Sequence, residues 1–240
     1  MKKLSLLVGG MILSGAVLAQ KPAADVPMTL EGVLGINAGA AGGTNLSFTA
    51  PAIRFRYFLT DNIAARVTFG IANTMNKQNV FENPDFTGNT GDYKITTNGW
   101  NASIGAEYHF AGTDRLSPFA AVNIMFGGGT NHFTGTNATN ATQTPGAATY
   151  VADYSEDGKT GFSTFGVGLS AGVDYYFAEN FYAGLELGIA FMTQHDRDAD
   201  YSVTTGGTTT TTSVPSQNSM MSITTSSMVP QGNLRLGWRF

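Results

Sequence analysis

Along most of this chain, apolar side chains alternate with polar or small ones at a period of two, in segments of about ten residues. Successive side chains of a strand project to opposite faces, so each such segment predicts a strand with one oily face and one hydrophilic face. Eight segments carry the pattern. Residues 28–37 set Leu30, Leu34 and Ile36 against Glu31, and residues 50–59 set Ile53, Phe55, Tyr57 and Leu59 against Arg54 and Arg56. In 63–72, Ala65, Val67, Phe69 and Ile71 oppose Arg66, Thr68 and Gly70; in 97–110, Trp100, Ile104, Tyr108 and Phe110 oppose Asn101, Ser103, Glu107 and His109. The fifth, 118–126, has the weakest alternation, with Val122, Ile124 and Phe126 opposite Phe119, Asn123 and Met125. In the sixth, 164–177, Phe165, Val167, Leu169, Val173, Tyr175 and Phe177 oppose Gly166, Gly168, Ser170, Gly172 and Asp174. Next, Leu185, Leu187, Ile189 and Phe191 oppose Tyr182, Gly184, Glu186 and Gly188, and the last segment runs over 228–240.

The connections alternate too. Short turns are expected at Thr60-Asp61-Asn62, at 111–116 and at 178–180, each after an aromatic strand end: Tyr57-Phe58-Leu59, Tyr108-His109-Phe110 and Tyr175-Tyr176-Phe177. Between them lie long stretches rich in Thr, Asn, Gly and Ser, over 73–94, 127–159 and 193–227, with a shorter one over 38–45. An even strand count with short and long connections in strict alternation is the layout of an outer-membrane barrel, with short turns on the periplasmic side and long loops outside. The low-complexity parts of those loops, the five threonines of 208–212 and the doubled Asn-Ala-Thr unit of 137–142, are read as unpacked.

Composition and the first residues agree with that address. Lys2 and Lys3 precede an apolar stretch over 4–17, and Val17-Leu18-Ala19 places small residues at a cleavage site, so residues 1–19 read as a secretory signal peptide and 20–240 as one barrel domain. The apolar stretch is shorter than the roughly 20 residues that span a bilayer as a helix. Without Lys2 and Lys3 the chain holds 11 basic and 17 acidic residues, a balance that argues against nucleic acid as a partner. There is no Cys, so stability must come from packing and hydrogen bonding rather than disulfides. A membrane-embedded chain without a further helical span must satisfy its backbone as a closed sheet.

The end of the chain, Leu234-Arg235-Leu236-Gly237-Trp238-Arg239-Phe240, alternates up to a terminal aromatic. It resembles the closing strand by which bacterial outer-membrane β-barrels are recognised and assembled, which gives Leu234, Leu236, Trp238 and Phe240 the role of an assembly signal read by the barrel assembly machinery. From signal peptide to Phe240 the chain resembles the small eight-stranded barrels of the OmpA and OmpX type. The resemblance implies an all-β, eight-stranded antiparallel up-and-down transmembrane barrel in the cell outer membrane, in contact with its lipid and lipopolysaccharide. Tyr57, Tyr108, Phe110, Tyr175 and Phe177 would form an aromatic girdle at the lipid–water boundary. The resemblance does not extend to the separate peptidoglycan-binding domain of the longer OmpA-like proteins, so no wall-anchoring role is expected.

Inside such a barrel, Glu31, Arg54, Arg56, Arg66, Glu107, Asp174, Glu186 and Arg235 fall at similar depth, with His109 and Arg239 nearer the rim. Depth-matched neighbours suggest Glu31 with Arg56, Arg66 with Glu107, and Glu186 with Arg235. An unpaired buried charge costs several kcal/mol, so the mixture of signs predicts mutual neutralisation. Eight strands leave an interior that side chains fill, which favours a plug over an ion path, with Gly168, Gly172, Gly184 and Gly188 making room for Arg and Tyr. The opposing transport reading is an OmpW-like passage for small molecules. Enzymes of similar architecture modify lipid or cleave protein, and His195-Asp196-Arg197-Asp198 is the one cluster of that kind. It lacks a convincing partner Ser or opposing Asp pair and reads as a polar loop start. His109, His132 and His195 have no metal-ligand spacing, and the acidic loop residues read as a solvated face, so no catalysis, metal or cofactor is expected. The exposed loops point to a surface contact, with an extracellular protein partner of unknown identity.

Overall fold

The computed structural model describes residues 26–38, 46–48, 52–216, 219–224 and 232–240. The expected signal peptide and the connection over 38–45, apart from residue 38, lie outside them, as do residues 50–51 and 228–231 of the predicted strands.

Among the described residues, twelve strands form one sheet: β1 (Met28–Ala38), β2 (Leu46–Phe48), β3 (Ala52–Phe58), β4 (Ile63–Phe81), β5 (Thr90–His109), β6 (Leu116–Thr139), β7 (Thr149–Ala178), β8 (Phe181–Asp196), β9 (Ala199–Thr205), β10 (Thr208–Val214), β11 (Ser219–Thr224) and β12 (Gly232–Arg239). Eight of them, β1, β3, β4, β5, β6, β7, β8 and β12, are antiparallel neighbours around a ring that closes where β12 pairs with β1. Closure leaves no edge strand at the level of the ring.

Short connections gather at one end. Leu59 N–H donates to the Ile63 carbonyl at 2.8 Å, and Thr60 Oγ1 accepts from the Ile63 amide at 3.0 Å. Leu116 N–H donates to Thr113 Oγ1 at 3.1 Å, and β7 and β8 are joined through Glu179 and Asn180 after a bulge at Tyr176–Ala178. Hydroxyls and amides that close a turn locally leave the strand register to the alternation of faces.

At the other end, the stretches expected as loops continue as strands. β4 runs to Phe81, β5 begins at Thr90, β6 runs to Thr139, and β7 begins at Thr149. The threonine run lies in β10, paired with β9 from Thr208↔Thr205 to Val214↔Ala199, and Gly206 and Gly207 supply the two positive φ angles, 55° and 82°, of the hairpin turn. The expectation of unpacked loops is corrected for these segments. Above the apolar band neither face must be oily, so alternation fades, yet backbone hydrogen bonding continues and Thr suits a strand.

The faces divide as the alternation requires. Ile53, Val67, Phe69, Ile104, Val122, Leu169, Leu185 and Leu236 are exposed on the outside, whereas Arg56, Arg66, Glu107, Asp174 and Arg235 are buried inside. The weakly patterned fifth segment has the expected facing: Val122, Ile124 and Phe126 point out and Phe119 is buried. On β5 and just beyond it, Phe110, Tyr108, Ala106, Ile104, Ala102 and Trp100 step up the outer face two residues at a time. Five steps of about 6.8 Å along a strand tilted by about 40° give roughly 26 Å, the height of the apolar band of a bilayer-spanning barrel. An outer surface this oily requires hydrocarbon against it.

Candidate functional site

The lower lumen is filled by charge. Arg54, Arg56, Arg66 and Arg235 meet Glu31, Glu107, Asp174 and Glu186, four cations against four carboxylates contributed by all eight ring strands except β6. Arg56 is the hub. Its guanidinium lies 2.7 Å from Glu31, 2.9 Å from Glu107 and 2.8 Å from Asp174, and its Nε also donates to Thr29 Oγ1 at 3.1 Å. Arg66 bridges Glu107 at 2.8 Å and Glu186 at 2.9 Å and donates to Asn123 Oδ1 at 2.6 Å. Arg54 donates to Glu186 at 2.6 Å and to Thr68 at 3.0 Å.

All three expected depth-matched pairs are within ion-pair distance, Glu31 with Arg56 and Arg66 with Glu107 closely and Glu186 with Arg235 more loosely. Arg235 lies 3.7 Å from Glu186 but donates to Asp174 and stands 3.3 Å from Glu31. The reason is register: Arg235 faces Gly184, where a Cβ would strike both Asp174 and Arg235, so the guanidinium passes over the glycine towards β7. Of the four inward glycines named from the sequence, Gly184 alone makes room for an arginine. Gly172 accommodates the Phe119 ring, Gly168 lies beside Met125, and Gly188 lies beside Ser170. It is Gly237 that clears space for Tyr182.

Below the charges is an aromatic floor. Tyr182 donates to Glu31 at 2.6 Å, its ring lies 5.0 Å from Tyr176, and Arg56 sits 5.0 Å above its centroid. Arg235 lies 4.6 Å over Phe119, and His109 packs between Phe58 and Phe119 while bonding to Glu107 at 3.1 Å and Ser117 at 2.8 Å. Arg239, on the same inward face of β12, is also buried. Cation–π contacts add to the ion pairs where water is excluded. From the sequence Tyr182 has an inward facing without a role, and Tyr176 and Phe58 have only a place in the aromatic strand ends. Their parity with Asp174 and Arg56 carried the signal.

Above the charges is a hollow of about 310 Å³ lined by Arg54, Arg66, Thr68, Ser103, Asn123 and Asn233. Higher still, the extended strands have a core of their own, Val80, Tyr93, Phe133, Ala138 and Ala148, with Ile95, Tyr150 and Tyr201 against it. There Glu156 accepts from Tyr154 at 2.7 Å, from Tyr201 at 2.9 Å and from the Asn140 amide at 3.1 Å. Burial pushes the Tyr93 phenol up to about 12 and raises that of Tyr201, whose bonds to Tyr154 and Glu156 add to the effect. Ala138 and Asn140, in the segment expected to be unpacked, are buried here. These apolar residues stand singly in a Thr- and Gly-rich background, so no run of them marked a core.

On the outside, Tyr57, Tyr108, Phe110 and Phe177 are exposed near the short-turn end, and Tyr175 is half-buried. Tyr108 and Phe110 pack edge to face at 5.3 Å. On β12 and just beyond it, Leu234, Leu236, Trp238 and Phe240 all face out, with Trp238 and Phe240 rings 4.9 Å apart. His195 lies within β8 rather than in a loop, opposite Ser163 of β7, and Asp196 takes the opposite face.

The model of a family described as "Putative OmpA-OmpF-like porin family" matches residues 47–196. No curated protein sequence matches the chain. Among solved structures, the chain is similar to the N-terminal β-barrel domain of Pseudomonas aeruginosa OprF, at 15% identity and a TM-score of 0.39, over 90% of this chain and 98% of that one. It is similar to a major outer membrane protein of Thermus thermophilus, at 12% identity and a TM-score of 0.44, over 89% and 99%. Ail, the attachment invasion locus protein of Yersinia pestis, is similar at 12% identity and a TM-score of 0.36, over 89% and 97%.

Proposed function

The chain belongs to the OmpA-OmpF-like porin family, and from that premise we propose that it serves as a closed structural barrel whose far end presents a surface for contact outside the cell. It is a β-barrel of the bacterial outer membrane. The observation that carries the reading is the balance of the lumen: four buried arginines and four buried carboxylates tied across a barrel too narrow to hold them and a water column together. Neutral in sum, this layer offers no net charge to draw an ion through.

The hollow above the plug has a mixed lining, in which Met125, Leu169 and Ile189 stand beside Thr68, Ser103 and Asn123, but it ends on the charged Arg54 and Arg66, which disfavours a passage for apolar molecules. Catalysis is disfavoured by the position of His195, whose neighbouring carboxylate Asp196 faces away. The outward row Leu234, Leu236, Trp238 and Phe240 suits recognition by the assembly machinery, and the extended strands form a braced platform for an extracellular protein partner. Current through a planar bilayer holding the purified protein tests the closed lumen. The expected trace is flat at moderate voltage; discrete steps present in every active preparation would overturn the reading.

A further inference from the structure

The outer face carries a hollow of mixed polar and apolar lining at the upper edge of the apolar band. Cross-strand register puts Trp100, Gly128, Ser163 and His195 in one outward row, and Asn98, Thr130, Gly161 and Arg197 in the next row up. The row below, Ala102, Phe126, Phe165 and Thr193, is still largely apolar, with Phe126 and Phe165 rings 5.6 Å apart. The oily surface therefore stops at Trp100, and Arg197 stands one step above it. A hollow of about 220 Å³ joins Asn98, Trp100, Gly128, Thr130 and Arg197.

Its construction is specific. Arg197 N–H donates to the Gly161 carbonyl at 2.7 Å, fixing the residue against β7, and its Cδ lies 3.3 Å from where a Gly161 Cβ would stand. On the other side, Trp100 Nε1 lies 3.3 Å from the position of a Gly128 Cβ. Two glycines thus form a floor under an overhanging guanidinium and an indole N–H. Neither group has an ion-pair or hydrogen-bond partner among the described residues. The nearby acidic Asp196 faces the other way and accepts from Gln194 at 2.9 Å.

A guanidinium and an indole donor, set where hydrocarbon gives way to headgroups and with Lys159 exposed one step further up β7, match one kind of occupant: an anionic amphiphile whose acyl chains run down the Phe126–Phe165 surface. We propose that this hollow binds the phosphate of an outer-leaflet lipid, with Arg197 as the charged contact, Trp100 Nε1–H as a second donor, and the Gly128–Gly161 floor admitting the headgroup sugar. Guanidinium–phosphate geometry favours two-point contact, and the flanking low-polarity surface strengthens it. The proposal rests on the outer-membrane placement of the apolar band, not on closure of the lumen.

Trp100 is its own reporter, since Trp238 is the chain's one other tryptophan. The full chain with Trp238→Phe, in detergent micelles, would be titrated with bisphosphorylated lipid A while Trp100 emission is read, folding being checked by heat-shifted gel migration. A saturable change is expected, with the dissociation constant raised about tenfold or more by Arg197→Gln, the scale of one charged hydrogen bond, and partly restored by Arg197→Lys. Lipid A stripped of both phosphates should bind comparably weakly to parent and variant. Equal titrations of parent and Arg197→Gln, or equal binding of the dephosphorylated lipid, would overturn the proposal; saturation by inorganic phosphate alone would replace the lipid with a soluble anion and overturn it too. If the Trp238→Phe chain fails to fold, native mass spectrometry of the unsubstituted protein and Arg197→Gln counts retained lipid A, and equal retention overturns it. Loss of bilayer insertion itself would instead show as failure of every lipid titration together with absence of the heat-shifted band.

Discussion

Removing the hub of the lumen is the sharpest test of how the barrel is held. Arg56→Met keeps an unbranched apolar stem as far as the position of Nε, but removes the guanidinium that lies over Phe58 and leaves three arginines facing four carboxylates. Glu31, Glu107 and Asp174 each lose a partner within 3 Å, and all are buried. Breaking a buried pair by deleting one member costs about 3–5 kcal/mol, because the orphaned charge stays out of water. With a urea dependence of roughly 2 kcal/mol per molar, the midpoint should fall by about 1.5–2.5 M. Tryptophan emission of the protein in lipid vesicles, followed through urea, reads this directly. Adding Glu31→Gln restores three against three while the amide still accepts from Tyr182, so the double variant should recover more than half of the loss. A single variant within about 1 kcal/mol of the parent, or a double variant worse than the single, would refute the reasoning.

Three further outcomes follow from other parts of the structure. Gly237→Ala places a methyl group in the Tyr182 ring and should cost about 1–3 kcal/mol in the same unfolding assay, through overpacking. Ile104→Arg puts a charge at the middle of the outer band and should cost about 2–4 kcal/mol, whereas the same change at Met75, above the band, should be nearly neutral. Tyr93 has a raised pKa, so its neutral form is the one the folded state holds: this contribution is intact below about pH 10, the unfolded value, and is lost as pH rises through about 12. Its hydroxyl is buried without a hydrogen-bond partner among the described residues, so Tyr93→Phe should leave neutral-pH stability unchanged and remove that alkaline loss, followed by phenolate absorbance and near-ultraviolet circular dichroism.

What could be read from sequence was whatever lipid enforces. Ile53 to Leu59 and Leu234 to Phe240 alternate because one face meets hydrocarbon and the other the charged lumen, so facing, strand count and the inward charges were all legible there. Partners were less so. Glu31 with Arg56 follows from depth, but Arg235 reaches past Gly184 to Asp174 because the missing side chain opens that route, and a glycine records only that space exists. The upper half was misread for the same physical reason. From Asn73 to Phe81 and along Thr208 to Val214, water lies on both sides, no face needs to be oily, and pairing with a neighbouring strand leaves no period in the side chains. The core around Tyr93 and Phe133 and the donor pair at Trp100 and Arg197 join residues far apart in sequence, visible only once register is known.

The central claim is that the charge layer divides the lumen into an upper compartment open to the outside and a lower one that is not. The chain has no cysteine, so single substitutions report cleanly. Ser103→Cys lines the hollow above the layer, and Ser117→Cys lies below it beside His109. Intact cells would be treated with a small, charged, membrane-impermeant thiol reagent. Ser103→Cys should be modified readily and Ser117→Cys should stay unmodified until the membrane is breached. Labelling of both at similar rates from outside would contradict the account.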